Sequence, residues 1–111
     1  MTDRSGVNEW DLVFERSEQG GHPVLVVEGE VDLSVASRFA QELENLVGGT
    51  NHTAVVDLSG VGFIDSSGVR ELLKAQHRAQ SSDGELVLRA PSTACRRVLQ
   101  VSGAWVEFTI A

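Results

Sequence analysis

Two adjacent serines follow an aspartate in the middle of the chain, in the run Asp65-Ser66-Ser67-Gly68. The residues after them have helical spacing, which predicts that the serines stand where a helix begins. The start of a helix exposes unpaired backbone N–H groups and the positive end of the helix dipole. A phosphoryl group on a hydroxyl there would be compatible with the fold and would add about −1.5 to −2 charges beside Asp65. Such a modification would change what the surface binds and leave the fold intact.

Helix capping is the alternative role for the same residues. Aspartate and serine are among the commonest N-caps, because their side-chain oxygens accept hydrogen bonds from backbone N–H groups of the first turn. Taken alone, the tetrapeptide favours capping, and modification stays open beside it.

Strands and helices alternate around this segment after an opening hairpin. Two apolar runs, Trp10–Phe14 and Pro23–Val27, flank a turn-rich stretch with a glycine pair and predict the hairpin. The later segments are predicted as a helix over 35–46, a strand over Ala54–Leu58, a helix over 69–79, a strand over Glu85–Ala90, a helix over Ser92–Val101 and a strand over Trp105–Ile110. The order β-β-α-β-α-β-α-β predicts an α/β fold, with a mixed sheet and helices packed mainly on one face.

Length and composition favour one globular domain. The chain has 111 residues, of which 41% are apolar, and we expect a flexible tail over 1–9 and a single domain over 10–111. The lone cysteine, Cys95, excludes an internal disulfide and fits a reducing compartment. No apolar run resembles a secretion signal or reaches the roughly 18 residues of a membrane span, so a cytoplasmic protein without membrane association is predicted.

The charge balance argues against nucleic-acid binding. Nine basic residues stand against 16 acidic ones, which gives a formal net charge of −7. Proteins that bind nucleic acids neutralise phosphates with lysine and arginine, and this chain has a single lysine, Lys74. Any role in transcription would therefore pass through another protein.

Three segments resemble the STAS domain family. Residues 55–64 followed by Asp65-Ser66-Ser67-Gly68-Val69 look like the central motif of that family. Gly29-Glu30-Val31-Asp32 is similar to the Gly-Glu-Leu-Asp turn before the family's first helix, with valine in place of the usual leucine. The segment over 90–103 fits as well, so the resemblance covers the chain from about Trp10. Within the family, the chain is most similar to anti-sigma factor antagonists of the partner-switching type.

This resemblance implies a function and a site. In such antagonists, the serine directly after the motif aspartate is phosphorylated by an anti-sigma factor that is also a serine kinase, of the histidine-kinase-like ATPase type. The unphosphorylated antagonist binds that partner and frees the sigma factor, the phosphorylated one lets go, and a phosphatase resets it. The acceptor is then Ser66, with Ser67 as the second choice, and no enzymatic activity or cofactor is implied. The implied partner-binding residues are Asp32, Asp65, Ser66, Ser67, Gly68 and Arg70.

Other kinds of site fit the sequence less well. A dinucleotide motif beginning at Gly60 and Gly62 would need a glycine where Asp65 stands, and Lys74 lies outside any glycine loop. A serine hydrolase would need G-x-S-x-G around Ser66 and a histidine base, whereas the three histidines are scattered. One cysteine and isolated histidines lack the spacing of a zinc site.

Two further interpretations stay open as alternatives. Asp57 occupies a place comparable to the phosphoacceptor of receiver domains, but the acidic pair and late lysine of that site are missing. A STAS-like accessory subunit of a transport system would use Ser66 only as a cap.

Basic residues recur every fourth position along the predicted second helix, at Arg70, Lys74 and Arg78. They form either an ordinary solvated helix face or a stripe that attracts an acidic partner.

Overall fold

The computed structural model describes residues 12–48 and 53–111. Within these ranges, five strands and three α-helices follow the predicted order. They are β1 (Leu12–Gln19), β2 (His22–Val31), α1 (Ala36–Val47), β3 (Thr53–Ile64), α2 (Ser66–Ser81), β4 (Glu85–Arg89), α3 (Thr93–Val101) and β5 (Thr109–Ile110). Short 3₁₀ helices precede α1 at Leu33–Val35 and follow α3 at Ala104–Glu107. The predicted tail over 1–9 lies outside the described residues.

The strands form one mixed sheet in the order β1-β2-β3-β4-β5. β1 and β2 are antiparallel, and the remaining neighbours are parallel. The α/β fold with a mixed sheet is therefore confirmed. None of the helices in the described ranges is long and apolar enough to cross a membrane.

All three α-helices share one hydrophobic core with the sheet. Helical spacing of apolar residues gives each helix a buried stripe, and alternation gives the strands a buried face. Core side chains from the helices are Phe39, Leu43, Leu72, Cys95 and Leu99, and those from the strands are Val27, Val56, Leu58 and Leu88. Cys95 is fully buried.

The first three strands are longer than their apolar runs predict, and β2 continues past Val27 to Val31. β1 continues through Glu15–Gln19, and because these residues lie exposed on an edge strand they carry no apolar signal. β3 continues past Leu58 to Ile64, through glycines that indicated a loop, and remains paired with β2 across register shifts. The extension matters for the site because it brings the chain directly from the sheet to Asp65.

The predicted strand over Trp105–Ile110 is mostly wrong. Ala104–Glu107 forms a 3₁₀ helix, and only Thr109–Ile110 pairs with β4. Gly103, in the left-handed region at φ 82°, turns the chain after α3. The carbonyl of Glu107 then accepts a hydrogen bond from the side-chain amide of Gln76 on α2 at 3.0 Å, so this segment is held by a helix rather than by a neighbouring strand.

Candidate functional site

The carboxyl ends of β2 and β3 bring Asp32 and Asp65 to the same edge of the sheet. The strands are parallel neighbours, and their last residues, Val31 and Ile64, are paired. The Asp65 N–H donates to the Val31 carbonyl at 3.1 Å. The Leu33 N–H in turn donates to the Asp65 carboxylate, which ties the turn after β2 to the start of α2. Two sequence motifs about 30 residues apart in the chain thus meet in one place.

Asp65 is the N-cap of α2. Its Oδ1 accepts from the backbone N–H of Ser67 at 2.9 Å and of Gly68 at 3.4 Å, and also from the Ser67 hydroxyl. These bonds favour the ionised carboxylate, so the pKa of Asp65 lies below its ordinary value, with the Ser67 hydroxyl as the largest cause and desolvation opposing it. Asp65 therefore holds the helix start and carries a negative charge at neutral pH.

The two serines differ in what their hydroxyls do. Ser67 is half-buried, and its hydroxyl is committed to Asp65. Ser66 is exposed as the first residue of α2, and its hydroxyl has no hydrogen-bond partner among the described residues. Asp65 caps α2, so the Ser66 hydroxyl is not needed for capping. The Ser66 hydroxyl is therefore accessible from solvent and free of structural hydrogen bonds within the described residues.

Gly68 is buried in the first turn of α2. A Cβ atom built there would stand 2.7 Å from Val31 Cγ1 and 2.8 Å from Ile64 Cγ1, closer than carbon atoms pack. Only glycine lets the first turn of α2 approach the ends of β2 and β3 this closely. The residue therefore positions Ser66 through packing, and because it is buried it offers a partner little surface.

Asp32 is half-buried and caps the 3₁₀ helix that leads into α1. Its Oδ1 accepts from the Ser34 N–H at 3.0 Å and from the Ser34 hydroxyl at 2.6 Å. Both bonds end on Oδ1, so Oδ2 retains its acceptor capacity for another donor. The next residue, Leu33, leaves 76% of its side chain exposed beside this carboxylate.

The basic stripe on α2 divides into paired and unpaired charges. Lys74 lies 3.8 Å from a Glu71 carboxylate oxygen, and Arg78 lies 3.2 Å from one of Glu44. Arg70, one turn from Ser66, is exposed and has no carboxylate partner within the described part of the chain. The two distal residues thus match an ordinary solvated face, and Arg70 alone offers an uncompensated charge near Ser66.

Asp57, the receiver-like candidate, is engaged elsewhere. It lies inside β3 rather than at the strand end. Its carboxylate forms an ion pair with Arg89 at 2.9 Å and accepts from the N–H and hydroxyl of Ser59. Partial burial would raise the pKa of Asp57, but these hydrogen bonds and the Arg89 charge outweigh it and lower the pKa. The carboxylate is thus part of a surface ion pair on the sheet.

A cleft that the sequence analysis missed opens beside Ser66. It lies between α2 and the segment after α3, and its volume is about 420 Å³. The lining residues are Ser66, Val69, Arg70, Leu73, His77, Ser102, Gly103, Ala104 and Glu107. The sequence carries no local signal for it, because its second wall combines the turn at Gly103 with a 3₁₀ helix, Ala104–Glu107, most of which was predicted as a strand.

Comparison with known proteins places this geometry in a family. The model of the family described as "Mlab, STAS domain" matches residues 14–105. The anti-sigma F factor antagonist of Lysinibacillus sphaericus is 32% identical over 76 residues, which are 68% of this chain and 65% of that protein. The chain therefore spans just under two thirds of the length of that relative.

Solved structures agree with the fold. An anti-sigma factor antagonist from Mycobacterium paratuberculosis is 25% identical with a TM-score of 0.79, over 89% of this chain and 84% of that one. The Bacillus cell fate determinant SpoIIAA in its phosphorylated form is 24% identical with a TM-score of 0.66, over 89% and 91%. The family model covers most of the chain, and the strand–helix order of these structures is the one seen here. The chain belongs to the STAS domain family.

Proposed function

We propose that this protein is an anti-sigma factor antagonist with no catalytic activity of its own. It binds an anti-sigma factor that is also a serine kinase and thereby frees a sigma factor, and phosphorylation of Ser66 releases it. The observation that carries the proposal is the exposed, uncommitted hydroxyl of Ser66 at the first residue of α2. The similarity to antagonists, one of them described in a phosphorylated form, supports it. Because sigma factors act on transcription, the proposed place of action is the cytoplasm.

The modification is chemically simple at this position. The γ-phosphoryl group of ATP passes to Ser66 Oγ, the hydroxyl proton passes to a base of the kinase, and ADP leaves. A phosphatase later hydrolyses the phosphoserine to serine and inorganic phosphate. An anion at a helix N-terminus is stabilised by about 0.3–1 kcal/mol, and the ionised Asp65 beside it offsets that gain. We therefore expect the switch to act on binding and to leave the fold nearly unchanged.

The proposed partner surface surrounds this hydroxyl. Asp65 and Ser67 fix the helix start, and Asp32 adds a carboxylate at the end of the neighbouring strand. Arg70, one turn along α2, adds a cation without a carboxylate partner among the described residues. Opposite charges on one surface steer the approach of a partner and fix its orientation.

Phosphorylation should occur on Ser66 and on no other serine. Incubation of the protein with ATP and its anti-sigma kinase is expected to add one phosphoryl group, and Ser66→Ala should abolish the reaction because the acceptor oxygen is gone. The measurement is the mass of the intact protein, followed by peptide mapping. Ser67→Ala is the matched control and should still be labelled. A phosphoryl group found on Ser67, or one that persists in Ser66→Ala, would refute this assignment.

The same experiment separates the proposal from the accessory-subunit alternative. If the wild-type protein neither binds nor is labelled by any anti-sigma kinase of its own cell, the antagonist function fails.

Asp32 should contribute more to partner binding than to stability. Asparagine caps helices as well as aspartate, so Asp32→Asn keeps the local hydrogen bonds and removes only the charge. Because a hydrogen bond to a charged group contributes about 1.5–3 kcal/mol, we expect at least about tenfold weaker binding of the anti-sigma factor with an unchanged melting temperature. Titration calorimetry and thermal melts measure the two effects.

Asp83→Asn is the matched control for this change. Asp83 is exposed in the turn after the last residue of α2, about 24 Å along the helix from Ser66, and asparagine tolerates its positive φ. It should bind as the wild type does. Equal affinities of Asp32→Asn and Asp83→Asn would remove Asp32 from the partner surface.

A further inference from the structure

The last part of β3, residues 58–64, has a strand neighbour on one side only within the described part of the chain. We call it the β3 extension. It pairs with β2 across register shifts, whereas the pairing of β3 with β4 ends at Asp57 and Arg89. The extension also contains Gly60 and Gly62, and glycine weakens a strand through its backbone freedom and its missing side chain. Because this segment leads directly to Ser66, its second edge needs another support.

Ser92 supplies that support. Its N–H donates to the Leu58 carbonyl at 3.2 Å, and its hydroxyl donates to the Val61 carbonyl at 2.5 Å. The same hydroxyl oxygen accepts from the Cys95 N–H at 3.1 Å and so provides the N-cap of α3. One side chain therefore begins α3 and holds the β3 extension where β4 no longer pairs with it.

Both ends of this contact are anchored in the core. Cys95 and Leu99 fix α3 there, and Val61 is fully buried as well. Pro91, directly before Ser92, is also buried, and its ring restricts the backbone at the entry to the helix. The hydrogen bond from Ser92 to Val61 thus joins two well-packed elements, and its loss would leave a buried carbonyl without this donor.

The β3 extension ends at the candidate phosphoacceptor. Three residues after Val61, Ile64 pairs with Val31, and Asp65 then caps α2, whose first residue is Ser66. A displacement of the extension is therefore passed to the start of α2. Transfer of a phosphoryl group requires the acceptor oxygen to stand in line with the group, and a misplacement of about 1 Å can slow a reaction about a hundredfold.

We propose that Ser92 is a positioning residue for the phosphorylation of Ser66, and that it acts through the hydrogen bond from its hydroxyl to the Val61 carbonyl. This inference rests on the proposed function and deepens it. It makes the placement of the acceptor depend on the start of α3, an element that lies outside the Asp65-Ser66-Ser67-Gly68 motif.

Three substitutions of Ser92 separate its donor role from its capping role. Ser92→Thr keeps both roles, Ser92→Asp keeps only the acceptor that caps α3, and Ser92→Ala keeps neither. With ATP and the anti-sigma kinase, kcat for phosphorylation of Ser66 is expected to fall at least about tenfold in the alanine and aspartate variants and to stay near the wild-type value in the threonine variant. KM should change little, because the exposed residues around Ser66 are retained. The assay is run well below the melting temperature of every variant, so that a loss of stability alone does not lower the rate.

A second measurement needs no kinase. Amide hydrogen exchange over residues 60–64 should be faster in Ser92→Ala and Ser92→Asp than in the wild type and Ser92→Thr. Ser81→Ala is the matched control, because the Ser81 hydroxyl also donates to a carbonyl, that of Arg78 at 2.7 Å, at the far end of α2. It should change neither kcat nor this exchange.

The outcomes distinguish this inference from the proposed function. If the wild type is labelled at Ser66 and Ser92→Asp is labelled at the same rate, the donor bond does not position the acceptor, and the proposed function still holds. Slow labelling of Ser92→Ala alone would assign the effect to the helix cap and contradict the inference in the same way. If the wild type itself is neither bound nor labelled, it is the proposed function that fails.

Discussion

Replacing Ser66 with aspartate is expected to weaken binding to the anti-sigma factor by at least about tenfold, which is about 1.4 kcal/mol, whereas Ser66→Ala keeps full affinity. The added carboxylate would be partly desolvated when the partner docks, and an unpaired charge in an interface is costly. Asp65, whose pKa is lowered and which is therefore ionised, already supplies negative potential next to it. Phosphoserine carries more charge and more acceptor oxygens than aspartate, so its effect should be larger still.

Titration calorimetry against the purified anti-sigma factor with ADP measures this effect. Ser17→Asp is the matched control, because it makes the same chemical change at an exposed position of β1 near the hairpin turn. It should bind as the wild type does. Thermal melts of Ser66→Asp and wild type should nearly coincide, because the helix N-terminus and Asp65 act on the new charge in opposite directions. Equal affinities of wild type, Ser66→Asp and the phosphoprotein would contradict the switch and favour the accessory-subunit alternative.

The helix start that carries the candidate site could be predicted because its signals are local. A helix start is marked by a capping residue followed by apolar residues at helical spacing, and Asp65 and the residues after it supply both. The meeting of Asp32 with Asp65 needed one further step, since it depends on β2 and β3 being parallel neighbours. The resemblance to a family supplied that step, and periodicity alone did not.

The different roles of the two serine hydroxyls could not be predicted from the residue types alone, although the resemblance to the family implies Ser66 as the acceptor. Both serines carry a hydroxyl that could be phosphorylated, and both lie within two residues of Asp65 in the sequence. The structure separates them because the backbone of Asp65 is extended, at φ −114° and ψ −173°, and its carboxylate accepts from Ser67. Such a choice depends on the rotation of one side chain, and the pattern of residue types does not encode it.

The cleft escaped prediction for a different reason. The residues over 105–110 alternate in the manner of a strand, and local propensity was overridden by tertiary contacts. The contact that overrides it comes from Gln76, the one polar residue in the apolar stripe of α2. A polar residue in an apolar stripe weakens the sequence pattern of a helix, whereas in the structure Gln76 forms three hydrogen bonds, to Leu86 in β4 and to Glu107.

Replacing Gln76 with leucine is therefore expected to lower the free energy of unfolding by about 3 kcal/mol, although leucine fits the apolar stripe better. Gln76 is 2% exposed. Its Nε2 donates to the carbonyls of Leu86 at 3.1 Å and Glu107 at 3.0 Å, and its Oε1 accepts from the Leu86 N–H at 2.8 Å. Leu86 lies in β4 just before the two residues that pair with β5, so the amide takes the place of a neighbouring strand there.

Leucine would leave the Leu86 N–H and carbonyl buried without these partners, and each buried unsatisfied group costs about 1–3 kcal/mol. The gain from burying a leucine side chain offsets only part of this cost. Urea denaturation measures the difference. Gln80→Leu is the matched control, because Gln80 is exposed on the same helix and its replacement should change stability by no more than about 0.5 kcal/mol. If the two variants were equally stable, the amide would not be holding β4 and the 3₁₀ segment together.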